Sequence, residues 1–238
     1  MGASSGIGRA IAETFASRGV KIGVGARRVA DLEMLKAKYP GMIECEAIDV
    51  TVPEAKTGLA RLIEKMGGMD IYIHVSGIGG ANPNLVVEQE TKVTDTNVTG
   101  FARMISAAYN YFRHTGRDGR IAAITSVAGT RGIGDMAAYS ASKCFCSAYL
   151  VALSQLAHKH GTKVSFTDIQ PGWIRTPLLR KEKIYPLEMT LEHAVPLMLL
   201  AIAEQRKVAV IDWRWRVIKS LWKRIPNPIW NRMSGFGF

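Results

Sequence analysis

The sequence predicts a doubly wound α/β domain, a mostly parallel sheet with helices on both faces. Three observations carry this. β-rich runs alternate with helical patterns along almost the whole chain, the connections between them are short, and most of the runs are near-continuously apolar. Strands buried on both faces by helices have that character. The 238 residues suffice for one domain with a two-sided core. An apolar fraction of 47% with 21% charged residues excludes disordered and low-complexity classes. Three Cys cannot form a disulfide framework, which points to a reducing compartment, and the cytoplasm is the expected location. The longest uninterrupted apolar stretch, 194–203, contains Pro196 and is about half a membrane span, so no transmembrane helix is expected.

Taken in order, the chain opens on Gly2-Ala3-Ser4-Ser5-Gly6-Ile7-Gly8 and passes directly into a helix. Ile7, Ile11 and Phe15 stand four apart on one face, and Gly19 is a stop signal. Strands are predicted at 21–25, 42–47, 70–74, 120–125, 163–169 and 208–211. Further helices are predicted at about 30–38, 53–66, 94–114 and 139–160. Pro53 suits a first helical turn, and basic residues followed by Gly161 suit the end of the last of these helices. No strand precedes the opening glycines, although a strand-to-helix turn must leave from one, and in a doubly wound sheet that strand is central. Its absence would orphan ladder groups at roughly 1–3 kcal/mol each. The first strand is therefore expected to lie upstream of Met1 in the natural product, with a gap or a substitute strand at the sheet centre otherwise. The division is a single domain, 1–211, followed by a basic extension, 212–238.

The chemistry concentrates in a few places. Glycines before a helix let backbone approach a phosphate, which meets free N–H groups and the positive end of the helix dipole. The spacing here is G-x-x-x-G-x-G and not G-x-G-x-x-G, so the generic dinucleotide fingerprint is not matched. Tyr139 and Lys143 lie four apart on one helix face. A free phenol titrates near pH 10, and an ammonium beside it favours the phenolate, which makes Tyr a usable proton donor and acceptor. Ser126 follows the predicted strand 120–125, at the carboxyl edge where such sheets bind ligands. Asn97 sits inside a predicted helix, where Asn is a mediocre former.

In these residues the chain resembles the short-chain dehydrogenase/reductase family. Residues 2–8, Asp49-Val50, Asn97-Val98-Thr99-Gly100, Ser126-Val127-Ala128-Gly129, Tyr139-Ser140-Ala141-Ser142-Lys143 and Pro171-Gly172-Trp173-Ile174-Arg175-Thr176 occur in family order and spacing, covering 1 to about 211. The resemblance implies a Rossmann-type fold and hydride transfer between a nicotinamide cofactor and a carbonyl or secondary alcohol. It implies that Tyr139 exchanges a proton with the substrate oxygen and that Lys143 holds the ribose and tunes Tyr139. It gives Ser126 the carbonyl oxygen and Asn97 a water that leads toward Lys143. The cofactor residues it implies are Gly2, Ser4, Ser5, Gly6, Ile7 and Gly8 in the turn, Asp49 and Val50 at the adenine, and Gly77 against the cofactor. Pro171, Gly172, Ile174 and Thr176 belong to the nicotinamide end. No metal is implied, and a homodimer or homotetramer is. Two departures stand out: His74-Val75-Ser76-Gly77 where the family often has Asn-Asn-Ala-Gly, and Met1 where it usually has Thr. His74 is read first as a core residue.

After the second strand comes Gly25-Ala26-Arg27-Arg28, with no acid to hold a ribose 2′-hydroxyl and two guanidiniums able to fork onto a 2′-phosphate. NADP is therefore the expected cofactor, against solvated arginines at a helix start. The loop 78–85 and the stretch 178–189 flank the site. Leu178, Leu179, Ile184, Tyr185, Pro186, Leu187 and Met189 give the second an apolar lining, which points to a hydrophobic ketone or alcohol. Arg180, Lys181 and Lys183 suit either an anionic carrier group or a solvated surface.

The net charge of +11 is concentrated at the end: eight Lys/Arg and one acid give 205–238 a charge of +7. Residues 213–233 hold four of the five Trp. On a helix, Trp215, Val217, Ile218, Leu221, Trp222 and Ile225 fall on one arc, and Arg216, Lys219, Lys223 and Arg224 on the other, until Pro226 and Pro228 intervene. Two readings stay open: a membrane-surface helix, or a helix packed on its own domain or on a second subunit. Nucleic acid is not expected, because no reading motif accompanies the charge. The expected function is an NADP-dependent oxidoreductase; the alternative is a non-catalytic NADP-binding sensor or membrane-associated scaffold.

Overall fold

The computed structural model describes residues 1–179 and 184–233. All six predicted strands form, and every pairing is parallel. β1 (Ile22–Ala26) pairs with β2 (Ile43–Ala47) in one sheet. The order β3 (Ile71–His74), β4 (Gly119–Ile124), β5 (Val164–Pro171), β6 (Val208–Ile211) makes the other. The two sheets meet at the centre of the domain. There the Gly2 N–H donates to Gly25 O (2.7 Å), the Met1 amine donates to Ile73 O (2.8 Å), and Val75 N–H donates to Met1 O (2.9 Å). The first residues thus bridge β1 to β3 at the carboxyl edge only. Beneath them lies a cavity of about 250 Å³ lined by Ile11, Val24, Leu59, Leu62 and Tyr72 among others.

The helices are α1 (Gly6–Ala16), α2 (Val29–Lys38), α3 (Ala55–Met66), α4 (Val87–Thr94), α5 (Phe101–Thr115), α6 (Ala137–Lys159), α7 (Leu191–Ala203), α8 (Trp213–Arg224) and a single turn, α9 (Asn227–Trp230). Helices α3, α5 and α6 cover one face around Leu59, Met104, Phe112, Ile121, Leu150 and Phe166. On the other, Ile169, Met198, Ile202, Ala209 and Trp215 form a second core beneath α7 and α8.

Two helices differ from the sequence expectation. The helix expected from about 94 begins at Val87, because α4 buries no residue and so has no apolar period to announce it. It runs into α5 through a π-helical turn, Asp95–Gly100. Helix α7 was not foreseen, since its apolar residues surround the axis instead of forming one stripe; Thr190 caps it, accepting from His193 N–H (3.3 Å). By length and composition alone, Gly134–Lys159 could cross a bilayer, yet it is the central helix of the domain, with Cys146, Leu150, Leu153 and Ala157 buried.

Candidate active site

The first two turns of α6 carry Tyr139 and Lys143, and the start of the helix is fixed from outside the motif. The Ala138 N–H donates to Glu90 Oε2 (2.9 Å), while Glu90 Oε1 accepts from Asn82 Nδ2 (2.8 Å). A carboxylate at a helix N-terminus satisfies an orphan donor and complements the helix dipole. Lys143 is buried; its Nζ donates to Ile124 O (3.1 Å) and lies 5.7 Å from the centroid of the Tyr139 ring. Ser126 leaves β4 and caps the short turn Val127–Thr130, its Oγ accepting from Ala128 N–H (3.1 Å) and donating to Pro171 O (3.4 Å).

Asn97 sits in the π-helical turn, a local widening that recurs at functional sites. Its amide is committed: Oδ1 accepts from Ile78 N–H (2.9 Å), and Nδ2 donates to Ile78 O (2.7 Å) and Ser142 Oγ (3.1 Å). The side chain therefore clamps the loop after β3.

Ser126, Tyr139 and Lys143 line one cavity of about 110 Å³, together with Pro171, Gly172, Ile174 and Thr176. Its apolar wall is Ile133, Met136, Leu178, Leu179, Trp215 and Trp222. An adjoining cleft of about 320 Å³ is lined by Gly2, Ser4, Ser5, Gly6, Ile7, Arg27, Arg28, Asp49, Val50, Gly77 and Thr176. The two share Ile7, Val75, Gly77, Thr176 and Leu178, so they form one trough. Gly8 alone of the expected cofactor residues lines neither. A Cβ there would stand 2.1 Å from Gly2 O, so its role is to let α1 approach the turn.

At the far end of the trough, Arg28 is occupied, donating to Asp31 (2.5 Å) and to Ser5 Oγ (3.1 Å), whereas Arg27 has no ion pair among the described residues. Burial raises the Asp49 carboxyl, but hydrogen bonds from Thr51 N–H (3.0 Å) and Thr51 Oγ1 (2.8 Å) and the charge of Arg27 outweigh it and hold it below the usual carboxylate range. His74 is a core residue: its Nδ1 meets the Tyr72 hydroxyl (3.0 Å), and its ring stands edge-on to Phe101. Burial, then the charges of the Met1 amine and Lys143, lower it to about 3, so the ring is neutral.

Several contributors escaped the sequence reading. Gly79 lies against the Tyr139 ring, where a Cβ would stand 2.3 Å from Cδ2; at Gly129 one would stand 2.6 Å from the Lys143 carbonyl carbon. Gly79 stands in the loop 78–85 and Gly129 ends the motif Ser126-Val127-Ala128-Gly129, but neither placement says what the missing side chain makes room for. Arg131 gave no signal. Its Nη1 donates to Trp222 O (3.2 Å) and Ile225 O (2.5 Å), its Nη2 donates to Asn227 Oδ1, and its guanidinium lies 5.0 Å over the Trp230 ring. Trp230 Nε1 in turn donates to Gly132 O (2.8 Å).

The inner arc of α8 thus packs on its own domain. Trp215 fills a slot over Gly172, where a Cβ would come within 2.0 Å of the indole, and Trp222 stands edge-on to Trp230. In the stretch 178–189, Leu178 and Leu179 reach the cavity, Tyr185 packs on Trp173 (4.7 Å between ring centroids), and Ile184 is exposed. Arg180, Lys181 and Lys183 lie outside the described residues.

The model of a protein family described as short chain dehydrogenase matches residues 1–184. An uncharacterized oxidoreductase of Myxococcus xanthus is 33% identical over 237 residues, which are 97% of this chain and 92% of that protein. A farnesol dehydrogenase of Aedes aegypti is 32% identical over 192 residues, covering 75% of this chain and 77% of that one. The crystal structure of a short-chain type dehydrogenase/reductase from Mycobacterium marinum superposes with a TM-score of 0.79 at 26% identity, over 90% of this chain and 92% of that one.

Proposed function

The chain belongs to the short-chain dehydrogenase family of oxidoreductases, and from that premise we propose that it transfers a hydride between NADP(H) and the carbonyl or secondary alcohol of an apolar substrate. The observation that carries the proposal is the trough itself: Ser126, Tyr139 and Lys143 line one end, and the glycine turn with Arg27 lines the other.

The chemistry of the walls fits a dinucleotide. The N-terminus of α1 offers unpaired N–H groups to a pyrophosphate beside Gly2, Ser4, Ser5 and Gly6. Gly77 keeps the middle open, since a Cβ there would sit 3.3 Å from Lys143 Nζ. Asp49 and Val50 would hold the adenine end, Ile174 and Thr176 the nicotinamide end. The bound nicotinamide supplies or accepts the hydride.

The protein's own part is with the oxygen. Ser126 Oγ and the Tyr139 hydroxyl are the hydroxyl donors that the motif brings to the cavity. Tyr139 gives its proton to the substrate oxygen in reduction and takes it back in oxidation. Ser126 orients that oxygen and stabilises the negative charge developing on it. Lys143 keeps a positive charge beside the ring whose oxygen is negative while the proton is away, a stronger effect in this buried setting than in water.

The apolar wall supports a hydrophobic substrate, and the farnesol dehydrogenase, a relative whose named substrate is an isoprenoid alcohol, is in keeping with it. A homodimer or homotetramer is proposed with it, as the family suggests; edge strand β6, with exposed Val208, and exposed Leu200 on α7 are suited to such contacts.

The experiment is turnover of a panel of hydrophobic ketones with NADPH and NADH, followed at the nicotinamide absorbance. NADPH-dependent reduction that falls at least ~10²-fold in Tyr139→Phe is expected. Tight NADPH binding without turnover by either protein would favour the sensor or scaffold instead. Arg27→Asp tests the cofactor assignment: because Arg28 is tied to Asp31 and Ser5, Arg27 is the guanidinium left for a 2′-phosphate. The substitution should move the NADPH/NADH preference ~10-fold or more toward NADH, the loss of one charge-assisted contact. An unchanged ratio would refute it.

A further inference from the structure

The outer arc of α8 differs in kind from the inner one. Trp213, Val217 and Leu221 stand four apart and are 68%, 51% and 54% exposed, with exposed Ile229 and Met233 continuing beyond the helix. Arg216, Lys223 and Arg224 are exposed beside this row and have no ion pair among the described residues. The other two cations of the helix are engaged: Arg214 pairs with Asp212 (2.7 Å), and Lys219 turns inward to Gln170. Trp215, the Arg131 contacts and Trp230 fix the helix to the body, so the row is presented already folded, and binding need not order it.

A partner must satisfy both the apolar row and the uncompensated positive charge. A second copy related by a two-fold axis would set this face against itself and bring two +7 segments together. A nucleic acid would meet the cations but leave an aliphatic and indole row against phosphates. An anionic lipid surface meets both: basic side chains lie at the headgroups, aliphatic ones enter the acyl boundary, and an exposed Trp suits the interface. We infer that the outer arc of α8 seats this protein on an anionic membrane surface, with Trp213, Val217 and Leu221 inserted and Arg216, Lys223 and Arg224 on the headgroups.

The inference concerns the face opposite the cavity wall and stands independently of turnover. Its test is co-sedimentation of the full chain with phosphatidylcholine vesicles and with vesicles that also contain phosphatidylserine. Binding to the anionic vesicles that salt reverses is expected, with far weaker binding to the neutral ones. Arg216→Gln/Lys223→Gln/Arg224→Gln should lower the partition coefficient ~10²-fold, each cation near the surface contributing about fivefold. Trp213→Ala/Val217→Ser/Leu221→Ser should abolish retention while NADPH binding is kept, since all three side chains are exposed. Binding to neither vesicle, equal binding to both, or retention unchanged in both variants would overturn the inference. So would loss of self-association by the apolar variant, or salt-sensitive binding to duplex DNA in place of vesicles.

Discussion

Replacing Arg131 with Met tests whether the C-terminal segment is a working wall of the substrate cavity. Arg131 is half-buried, and one guanidinium reaches the carbonyls of Trp222 (3.2 Å) and Ile225 (2.5 Å), the side chain of Asn227 and the face of Trp230 (5.0 Å). Hydrogen bonds from a charged donor contribute ~1.5–3 kcal/mol each, and a partly solvated cation–π contact ~0.5–1 kcal/mol. These terms share one side chain and partial solvent screening, so their joint loss is ~2–3 kcal/mol. That energy falls on the docking of 213–230 and not on the sheet, because the partners all lie in α8, α9 and the turn between them. A loss of ~2 kcal/mol lowers the ratio of docked to undocked segment ~30-fold. Trp222, a wall of the cavity, moves with it. Hydrogen exchange should therefore quicken across 213–230 and leave β3 to β5 unchanged. In kinetics, KM for a bulky apolar substrate should rise about tenfold, with kcat and the KM of a small ketone nearly constant. Arg131→Lys should recover part of the effect, since one ammonium cannot span all the acceptors. Unaltered exchange, or an equal fall in kcat for small and bulky substrates, would refute the wall.

Two further outcomes follow from the geometry. In Gly79→Ala the new methyl would stand 2.3 Å from Tyr139 Cδ2, so the ring must shift; a displacement near 1 Å costs kcat ~10²-fold while the protein folds and binds NADPH, and wild-type kcat would refute the contact. His74 gives an acid dependence of stability. Its imidazole titrates at about 3 when folded, against the usual 6.5. Between those values the unfolded chain holds more protons, so stability is fully present above pH 6.5 and falls as pH drops through the window, with a slope approaching ~1.4 kcal/mol per pH unit. Denaturant titrations of His74→Asn should show a flatter slope across that window; a slope equal to wild type would refute the buried, neutral ring.

Most strands were legible because helices cover both faces and leave long apolar runs; β2 alternates instead, Ile43 and Cys45 buried between the ion-paired Glu44 and Glu46. Helix α4 was illegible for the opposite reason: Val87 to Thr94 buries nothing, and its Glu90 matters through one carboxylate reaching Ala138 N–H and Asn82. The extension was half-legible. Its period separated two arcs, but a helical wheel does not say where the body lies. Val217 and Leu221, grouped by sequence with the Trp arc, face solvent, while Lys219, grouped with the basic arc, is turned in toward Gln170. What orients the helix is Gly172, whose missing side chain leaves the slot that Trp215 enters.

That slot explains why the site was read so unevenly. Residues that act through their own atoms, Ser126, Tyr139 and Lys143, announce a chemistry by type and spacing. Residues that act by yielding space do not. Gly77 makes room beside Lys143, Gly79 beside the Tyr139 ring, Gly129 beside the backbone of Lys143, and Gly172 beside Trp215. In sequence Gly79 is only a glycine near a motif, and the motifs that hold Gly77, Gly129 and Gly172 do not say what their missing side chains make room for. Each becomes specific when a Cβ is placed on it and the atom it meets is identified. If the proposed hydride transfer holds, the arrangement of Ser126, Tyr139 and Lys143 depends as much on these four absent side chains as on the three present ones, and substitutions at those glycines should lower turnover with the motif intact.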